Sequence, residues 1–447
     1  MDAMRRVFQK AVCIPLNNIE NIWRDYDSFE NGLNKLTAKK FLQERSAGYM
    51  TARMMLKELR KLTDGINRTL LPRPVKWTER ELHQLEQWKR YFRWERSNPL
   101  SLEDPAMLSA RVAWTYKQAL LSMRFYPEIW FEAATYFSEI GRADEAVLLL
   151  KNATEIMPTS FLVHFAYAEM EESRKSFKEC RASFEALIKN LTLKIDEMNN
   201  RVNEEIQVAK AALMAEQQAL DGTTASTKKV RDIEEVDGEM RERDREELKK
   251  RNRDLLLYEK LARKEVEEMI KGAGLAWIMF MHFVRRTEGT SQWRQIFGRA
   301  RRSNGCPYQV YIAAALLEYH CTKDRVIAGK VFELGYKSFS DEAAYVEQYL
   351  VFLIQQNDDS NARALFERAL ITMSPEKARP LWERFSEYEN KYGDLTAITK
   401  VEKRRREVYP NDSVLDRFAT RYCYDDLKVI EEMDMGASSK SQPNAIV

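Results

Sequence analysis

One pattern of large aromatic residues recurs along the chain and constrains its fold more than any other feature. Clear copies are WRDYDSFE, beginning at Trp23, and WKRYFRWE, beginning at Trp88. In each copy three aromatic residues are spaced three apart, and a Glu follows the last one. Side chains at this spacing lie on one face of a helix. The pattern therefore predicts amphipathic helices with a packed aromatic face and a Glu at its border, within reach of a neighbouring helix.

The same pattern returns in weaker form, and its interval identifies a repeat. From Trp277 to Tyr311, and from Tyr311 to Tyr345, the interval is 34 residues each time. This is the period of tetratricopeptide-like helix pairs. A degenerate copy, LVHFAYAE, is read with Leu162, Phe165 and Ala168 on the packed face and Glu169 at its border. The residues predicted to form the repeat cores are Trp23, Tyr26, Phe29, Trp88, Tyr91, Trp94, Trp130, Tyr136, Trp277, Phe280, Phe283, Tyr311, Trp382, Phe385 and Tyr388.

A second type of helix follows most copies of the aromatic pattern. The sharpest example is NARALFERAL at 361–370, in which small residues precede a ridge of Leu and Phe, and Pro375 follows. Small residues let two helices approach closely, and the ridge fills the groove between repeats. The chain is therefore predicted to be an all-α, HAT/TPR-like solenoid of antiparallel helix pairs, where HAT stands for half-a-tetratricopeptide.

Composition agrees with helix almost throughout. The 447 residues include only 15 Gly and 12 Pro, with 32% charged and 44% hydrophobic residues, which leaves few breakers for the turns of a sheet protein. The net charge is only +3, so any surface for a polyanion must be local. The longest apolar run, near 275–284, is interrupted by His282 and is too short to span a membrane.

Three segments depart from the repeat. Residues 63–77 contain two prolines and are predicted to be a loop, and residues 437–447 have the composition of a disordered tail. Residues 191–270 are strongly charged and are interpreted as a helical hairpin frayed at Gly222, with disorder as the alternative, ended by a C-cap at Gly272 and Gly274. The predicted domains are N-terminal repeats at 1–190, this insertion at 191–270, C-terminal repeats at 271–430 and a disordered tail at 431–447.

Residues that could carry chemistry are dispersed. The four histidines (His83, His164, His282 and His320) fall in different repeats, and the five cysteines (Cys13, Cys180, Cys306, Cys321 and Cys423) show no CxxC spacing. We therefore predict no catalytic site, no cofactor, no metal and no small-molecule substrate. The scattered cysteines favour a reducing compartment.

Basic clusters are the one feature that could contact a partner directly. Two explanations stay open: a stripe that touches RNA phosphates or a protein partner, and solvated helix faces that include a nuclear localisation signal in KRRR. The candidate contact residues are Arg285, Arg286, Arg301, Arg302, Lys403, Arg404 and Arg405.

Several blocks beyond the generic repeat resemble the Suppressor-of-forked family. They include NIENIWRDYDSFE, WKRYFRWERSNPL, FAYAEMEESR, MHFVRRTEG, YIAAALLEYHCTKD and GDLTAITKVEKRR, and they extend from Met1 to about Arg406. This family contains the HAT-repeat large subunit of cleavage stimulation factor and its yeast counterpart in cleavage factor IA, which form mRNA 3′ ends. Relative to the family, several N-terminal repeats and the C-terminal partner-binding region are expected to be missing, and the insertion is expected to be longer.

The resemblance implies a nuclear scaffold, with a cytoplasmic pool left open. The repeats from about Gly274 to Pro410 would join two chains into a homodimer. That dimer would gather other cleavage and polyadenylation subunits, including a protein with an RNA-recognition motif through which mRNA is mainly contacted. Direct RNA binding and a scaffold role in splicing are the alternatives.

Overall fold

Every regular element in the part of the chain that the structure describes is helical, which confirms the all-α prediction. The structure is a computed structural model that describes residues 2–226, 234–303, 305–412, 421 and 433, with only the helical backbone at 216–226 and 234–245. It divides into two compact units, residues 1–194 and 195–447.

The first unit contains eight helices and the start of a ninth within its described residues. They are α1 (Asp2–Ala11), α2 (Ile19–Leu33), α3 (Lys35–Thr63), α4 (Glu79–Arg96), α5 (Pro105–Ser122), α6 (Pro127–Glu139), α7 (Ala143–Ile156), α8 (Phe161–Ser173) and α9 (Phe177–Ser226). Residues between α3 and α4 form the predicted loop.

The second unit contains the end of α9 and the remaining helices of the described chain. They are α10 (Glu234–Thr287), α11 (Thr290–Arg302), α12 (Tyr308–Leu317) with a π-helical turn at Glu318–Thr322, α13 (Arg325–Tyr336), α14 (Ala343–Gln355), α15 (Asp359–Thr372), α16 (Pro375–Tyr392) and α17 (Leu395–Val408). The predicted disordered tail lies outside the described residues, apart from Met433.

Short turns with one left-handed residue join the two helices of a repeat. Gly141 and Lys175 adopt positive φ after α6 and α8, and Gly289, Lys323 and Asn357 do so after α10, the π-helical turn and α14. Gly141 and Lys175 are 34 residues apart, as are Gly289 and Lys323, and Lys323 and Asn357. A left-handed residue directly after a helix ends that helix and reverses the chain. The turns therefore keep the period that the aromatic pattern predicted.

Packing between helices follows the repeat in both units. Within the first unit α6 packs on α7, and also on α8, the first helix of the next pair. Within the second unit α12, α14 and α16 contact one another in the same order, and each also packs on the helix that follows it. Each pair thus buries its apolar face against its own partner and its neighbour, as helical repeats do.

The charged insertion is helical where it is described, but its limits differ from the predicted ones. Helix α9 runs through the predicted limit at 190/191, and α10 runs through the limit at 270/271, so the two domain limits stay predictions. Ile195, Val202 and Ile206 form a cluster with Ala262 and Val266, which holds the two helices together. The predicted break beginning at 221 was wrong, because α9 continues to Ser226; residues 227–233 lie outside the described part.

The prediction that Gly272 and Gly274 end the charged helix was also wrong. Both lie inside α10, which continues to Thr287. A Cβ at position 274 would come within 2.3 Å of Pro307 Cγ, beside the start of α12. Gly274 is therefore required by the close approach of two helices, and this requirement depends on contacts that are distant in sequence.

Replacing Gly274 with alanine is expected to destabilise the second unit by about 1–3 kcal/mol, because an added methyl group overpacks the contact with Pro307. Gly298 in α11 is the matched control, since nothing lies within 4 Å of a Cβ built there. Gly298→Ala should stabilise by up to about 1 kcal/mol through helix propensity. Urea denaturation of both variants measures the difference, and equal shifts would contradict the close approach.

Repeat core and candidate interaction surfaces

The aromatic residues predicted to form the repeat cores lie on the packed faces of their helices. Twelve of the fifteen are buried, while Trp23, Phe29 and Trp94 are partly buried. In the first unit Trp88 packs on Phe92 with ring centroids 6.0 Å apart, and Phe92 packs on Tyr116 at 4.3 Å. Because these side chains fill the cores, they are unavailable to a partner.

Four of the Glu residues that end the aromatic pattern are buried and paired with Arg. Each carboxylate is at most 2% exposed, and each Arg donates from two nitrogens. The partners come from a neighbouring helix 16 to 26 residues away in sequence. The shortest N–O distances are 2.7 Å for Arg5–Glu30, 2.5 Å for Arg111–Glu95, 2.6 Å for Arg294–Glu318 and 2.7 Å for Arg363–Glu389.

One copy of the aromatic pattern was assigned in the wrong register. In α8 the buried residues include Val163, Tyr167 and Glu171, whereas Leu162 and Glu169 are exposed. Helix α8 is apolar over most of its surface, so its sequence does not distinguish the packed face from the exposed one. The choice of face depends on α7 and α9, which lie beside it.

His164 is buried in the first unit and carries an unusual proton affinity. Its Nδ1 lies 3.1 Å from Ser183 Oγ, and its side chain is 2% exposed. Burial lowers the pKa of His164 from 6.5 to about 4, because the charged imidazolium would lose its hydration. The folded state therefore keeps this histidine neutral at pH values where the unfolded chain binds a proton.

Acidification is expected to destabilise the first unit through His164. Its contribution is fully present above pH 6.5 and is lost as the pH falls towards about 4. At pH 5 the loss is about 2 kcal/mol, from the 1.5 pH units below the unfolded value. Thermal unfolding at pH 7.5 and pH 5 should show a smaller difference for His164→Gln than for the wild type. The exposed His83, replaced by Gln, serves as the control and should leave the pH dependence unchanged.

The predicted basic contact residues are divided by the structure. Arg301, Arg302 and Lys403 are exposed, and Arg286 is exposed at the end of α10. Arg404 donates twice to Glu367, at 2.6 and 2.9 Å, and its guanidinium lies over Trp382.

Arg405 requires a correction, because its side chain is only 2% exposed and lies 3.6 Å from Asp412. It faces the interior of the last repeat and cannot contact a partner as placed. Arg285 is partly buried. A contact surface in this unit is therefore restricted to the exposed members of the predicted set, whose role stays a prediction.

The sequence analysis missed a more concentrated basic surface on α3. This helix carries eight Lys or Arg and two Glu, a net charge of +6, whereas the whole chain has a net charge of +3. All eight cationic side chains are exposed. Only Arg53 forms an ion pair within the described residues, with Glu20 at 2.9 Å. Spacings of three, four and seven between Lys and Arg were the signal that could have revealed it.

Two further properties were tested over the described residues. No group of three or more His, Cys, Asp or Glu side chains is placed to hold a metal ion there. None of the helices described is both long enough and apolar enough to cross a membrane.

Comparison with known proteins identifies the family. The family profile described as Suppressor of forked protein (Suf) matches residues 1–435. The chain belongs to this family. The resemblance found in the sequence is thereby confirmed.

Named members of the family from fungi and an insect align with almost the whole chain. The mRNA 3′-end-processing protein RNA14 of Cryptococcus neoformans is 42% identical over 442 residues, covering 97% of this chain and 40% of that protein. The rna14 protein of Schizosaccharomyces pombe is 34% identical, covering 98% and 55%. The protein suppressor of forked of Drosophila melanogaster is 33% identical, covering 92% and 50%. The chain thus spans about half the length of these relatives.

A solved structure shares the fold of this Suppressor of forked family member. The crystal structure of CSTF-77 superposes with a TM-score of 0.55 at 17% sequence identity, over 93% of this chain and 69% of that one. The helical-repeat fold class predicted from the sequence is therefore confirmed.

Proposed function

We propose that this chain is a non-catalytic scaffold subunit of the machinery that cleaves and polyadenylates pre-mRNA. The observation that carries the proposal is the family match over residues 1–435, because the relatives are named as mRNA 3′-end-processing proteins. The arrangement of the repeats supports it. Their aromatic and carboxylate side chains are used inside the fold, while the outer faces of many helices are left for partners.

The proposed partners are a second copy of the chain and other cleavage and polyadenylation factors, including a protein with an RNA-recognition motif. The proposed site of action is the nucleus. Pairing is assigned to the repeats at 274–410, which expose large apolar side chains at Val326, Ile371 and Leu395. Exposed apolar residues of this size are common in the surfaces through which chains associate.

Affinity purification from nuclear extract tests the scaffold role. The tagged full chain, treated with nuclease to remove RNA bridging, is expected to recover cleavage and polyadenylation factors identified by mass spectrometry. Recovery of splicing factors in their place would contradict the proposal and favour a splicing scaffold.

Light scattering of the purified chain tests self-association separately. A mass of two chains is expected, and Ile371→Glu with Leu395→Glu should reduce it to one if these residues lie in the interface. A single-chain mass for the wild type at all concentrations would contradict pairing.

A second candidate function is direct RNA binding by the second unit. It is favoured by the exposed Arg301 and Arg302 at the end of α11, together with Lys403 on α17. Phosphate contacts predict an RNA affinity that falls steeply with salt concentration. An affinity that is weak and independent of salt would exclude this candidate.

A further inference from the structure

We propose that the exposed basic face of α3, with the adjoining start of α2, binds single-stranded RNA. The inference rests on the proposed function only in identifying that RNA as pre-mRNA. It concerns the first unit, and it is distinct from the arginines of the second unit.

The first argument is the placement of charge along α3. At 3.6 residues per turn, six of the eight cationic residues fall within about 100° around the helix axis. They form two groups separated by about 21 Å along the helix, at 1.5 Å per residue. The members are Lys35 and Lys39 in the first group, and Arg53, Lys57, Arg60 and Lys61 in the second. We call these six residues the α3 basic face.

The second argument is that most of these cations are not used inside the fold. Arg53 pairs with Glu20, and Arg60 donates to the backbone oxygen of Asn17 at 3.1 Å. The four lysines of the face form no ion pair within the described part of the chain. Since exposed cations packed along one face repel one another, a polyanion that neutralises several of them would gain affinity from charge and from counterion release.

A cavity beside the second group can accommodate more than a phosphate. It has a volume of about 650 Å³, within the range of small-molecule sites. Its lining combines Arg53, Lys57, Arg60 and Lys61 with the polar residues Asn17, Asn18 and Asn21 at the start of α2. An amide both donates and accepts hydrogen bonds, which suits the edge of a nucleobase. An acidic peptide offers carboxylates, which only accept.

An aromatic stack on the same two helices supports RNA over a peptide. Trp23 of α2 lies parallel to Tyr49 of α3, with ring centroids 4.3 Å apart and an interplanar angle of 15°. Both side chains are partly exposed, whereas Trp88, which begins the next copy of the pattern, is 1% exposed. Tyr49 lies one turn before Arg53 on α3. Partly exposed aromatic rings beside cations are what single-stranded RNA uses for stacking.

Fluorescence anisotropy with a labelled 12-nucleotide oligo(U) tests the inference on the full chain. The variant Lys35→Gln, Lys39→Gln, Lys57→Gln and Lys61→Gln should bind at least about tenfold more weakly at low salt. The slope of log affinity against log salt should become shallower by about 2–3, from about 0.7 for each lost phosphate contact to a single strand. These lysines are exposed and unpaired, so the thermal unfolding of the variant should match that of the wild type.

The matched control removes the same charge from the second unit. Arg301→Gln, Arg302→Gln, Lys403→Gln and Arg406→Gln, all at exposed positions, should leave the affinity within about twofold. Asn18→Ala should weaken RNA about fivefold through the lost amide. It should leave the binding of inorganic polyphosphate unchanged, because that polymer has no bases. The Asn18 side chain makes no capping hydrogen bond, so its loss leaves α2 intact.

Three results would overturn the inference. They are the absence of oligo(U) binding by the wild type at low salt, a loss confined to the second-unit control, and displacement of RNA by polyglutamate of equal charge at equal potency. The last result would assign the α3 basic face to an acidic protein. Because partner recovery from nuclease-treated extract does not depend on this face, failure here leaves the scaffold proposal standing, and failure of partner recovery leaves the RNA measurement valid.

Discussion

Trp88→Ala is expected to lower the free energy of unfolding of the first unit by about 3–5 kcal/mol, one of the largest effects of any single replacement in this chain. Trp88 is 1% exposed and lies in a cluster with Tyr91, Phe92 and Tyr116. Removing the indole takes away its transfer free energy and leaves a cavity that the surrounding helices only partly fill. Urea denaturation followed by circular dichroism measures the change.

Two further variants at tryptophan positions test this explanation. Trp114 in α5 is 52% exposed, and its replacement by Ala should change stability by less than about 1 kcal/mol. Trp88→Phe should cost clearly less than Trp88→Ala, because it keeps an aromatic ring and removes an indole N–H that has no acceptor in the core. Hydrogen exchange should accelerate in α4–α6 and stay unchanged in α12–α16, since repeats transmit loss mainly to neighbours. A loss spread evenly over both units would contradict this view.

Arg111→Met is expected to destabilise the first unit by about 3 kcal/mol, because it leaves the carboxylate of Glu95 buried without its partner. Glu95 is 1% exposed and accepts from Arg111 Nε at 2.5 Å and from Nη2 at 3.0 Å. A charge that cannot recover its hydration is costly once its counter-ion is lost. The same urea titration measures the effect.

The surface pair of Arg93 and Glu86 provides the control. Both side chains are more than half exposed, at 68% and 61%, so Arg93→Met should cost at most about 1 kcal/mol. Glu95→Leu combined with Arg111→Met should recover most of the loss, because replacing both partners leaves no buried charge. If the double variant is as unstable as Arg111→Met, the cost does not come from an uncompensated carboxylate.

Local spacing was sufficient to predict the helices, their packed faces and their period. The 34-residue interval read from Trp277, Tyr311 and Tyr345 is kept by the left-handed residues that end the first helices of the repeats. Local spacing failed in α8, where apolar residues surround the helix and the packed face depends on neighbours. It also failed at Gly274, whose role is decided by Pro307, 33 positions further along the chain.

The surfaces were harder to predict than the core, because exposure of a charged residue depends on what the fold places beside it. Arg404 and Arg405 are adjacent in a basic run, yet one is bound to Glu367 and the other is buried near Asp412. The lysines of the α3 basic face attracted no attention in a chain whose overall charge is almost balanced. Their importance emerges once their exposure and the cavity beside them are known.

The sequence by itself determined the all-α class, the repeat period, the identity of most core aromatics and the family. These properties follow from spacings within one or two helices, where the geometry of the α-helix relates position to face directly. Only the tertiary structure decided the four Arg–Glu partners, the close approach at Gly274 and the division of basic residues into paired, buried and exposed. Those properties depend on which helices become neighbours, and the stacking of repeats brings together residues that no local pattern relates.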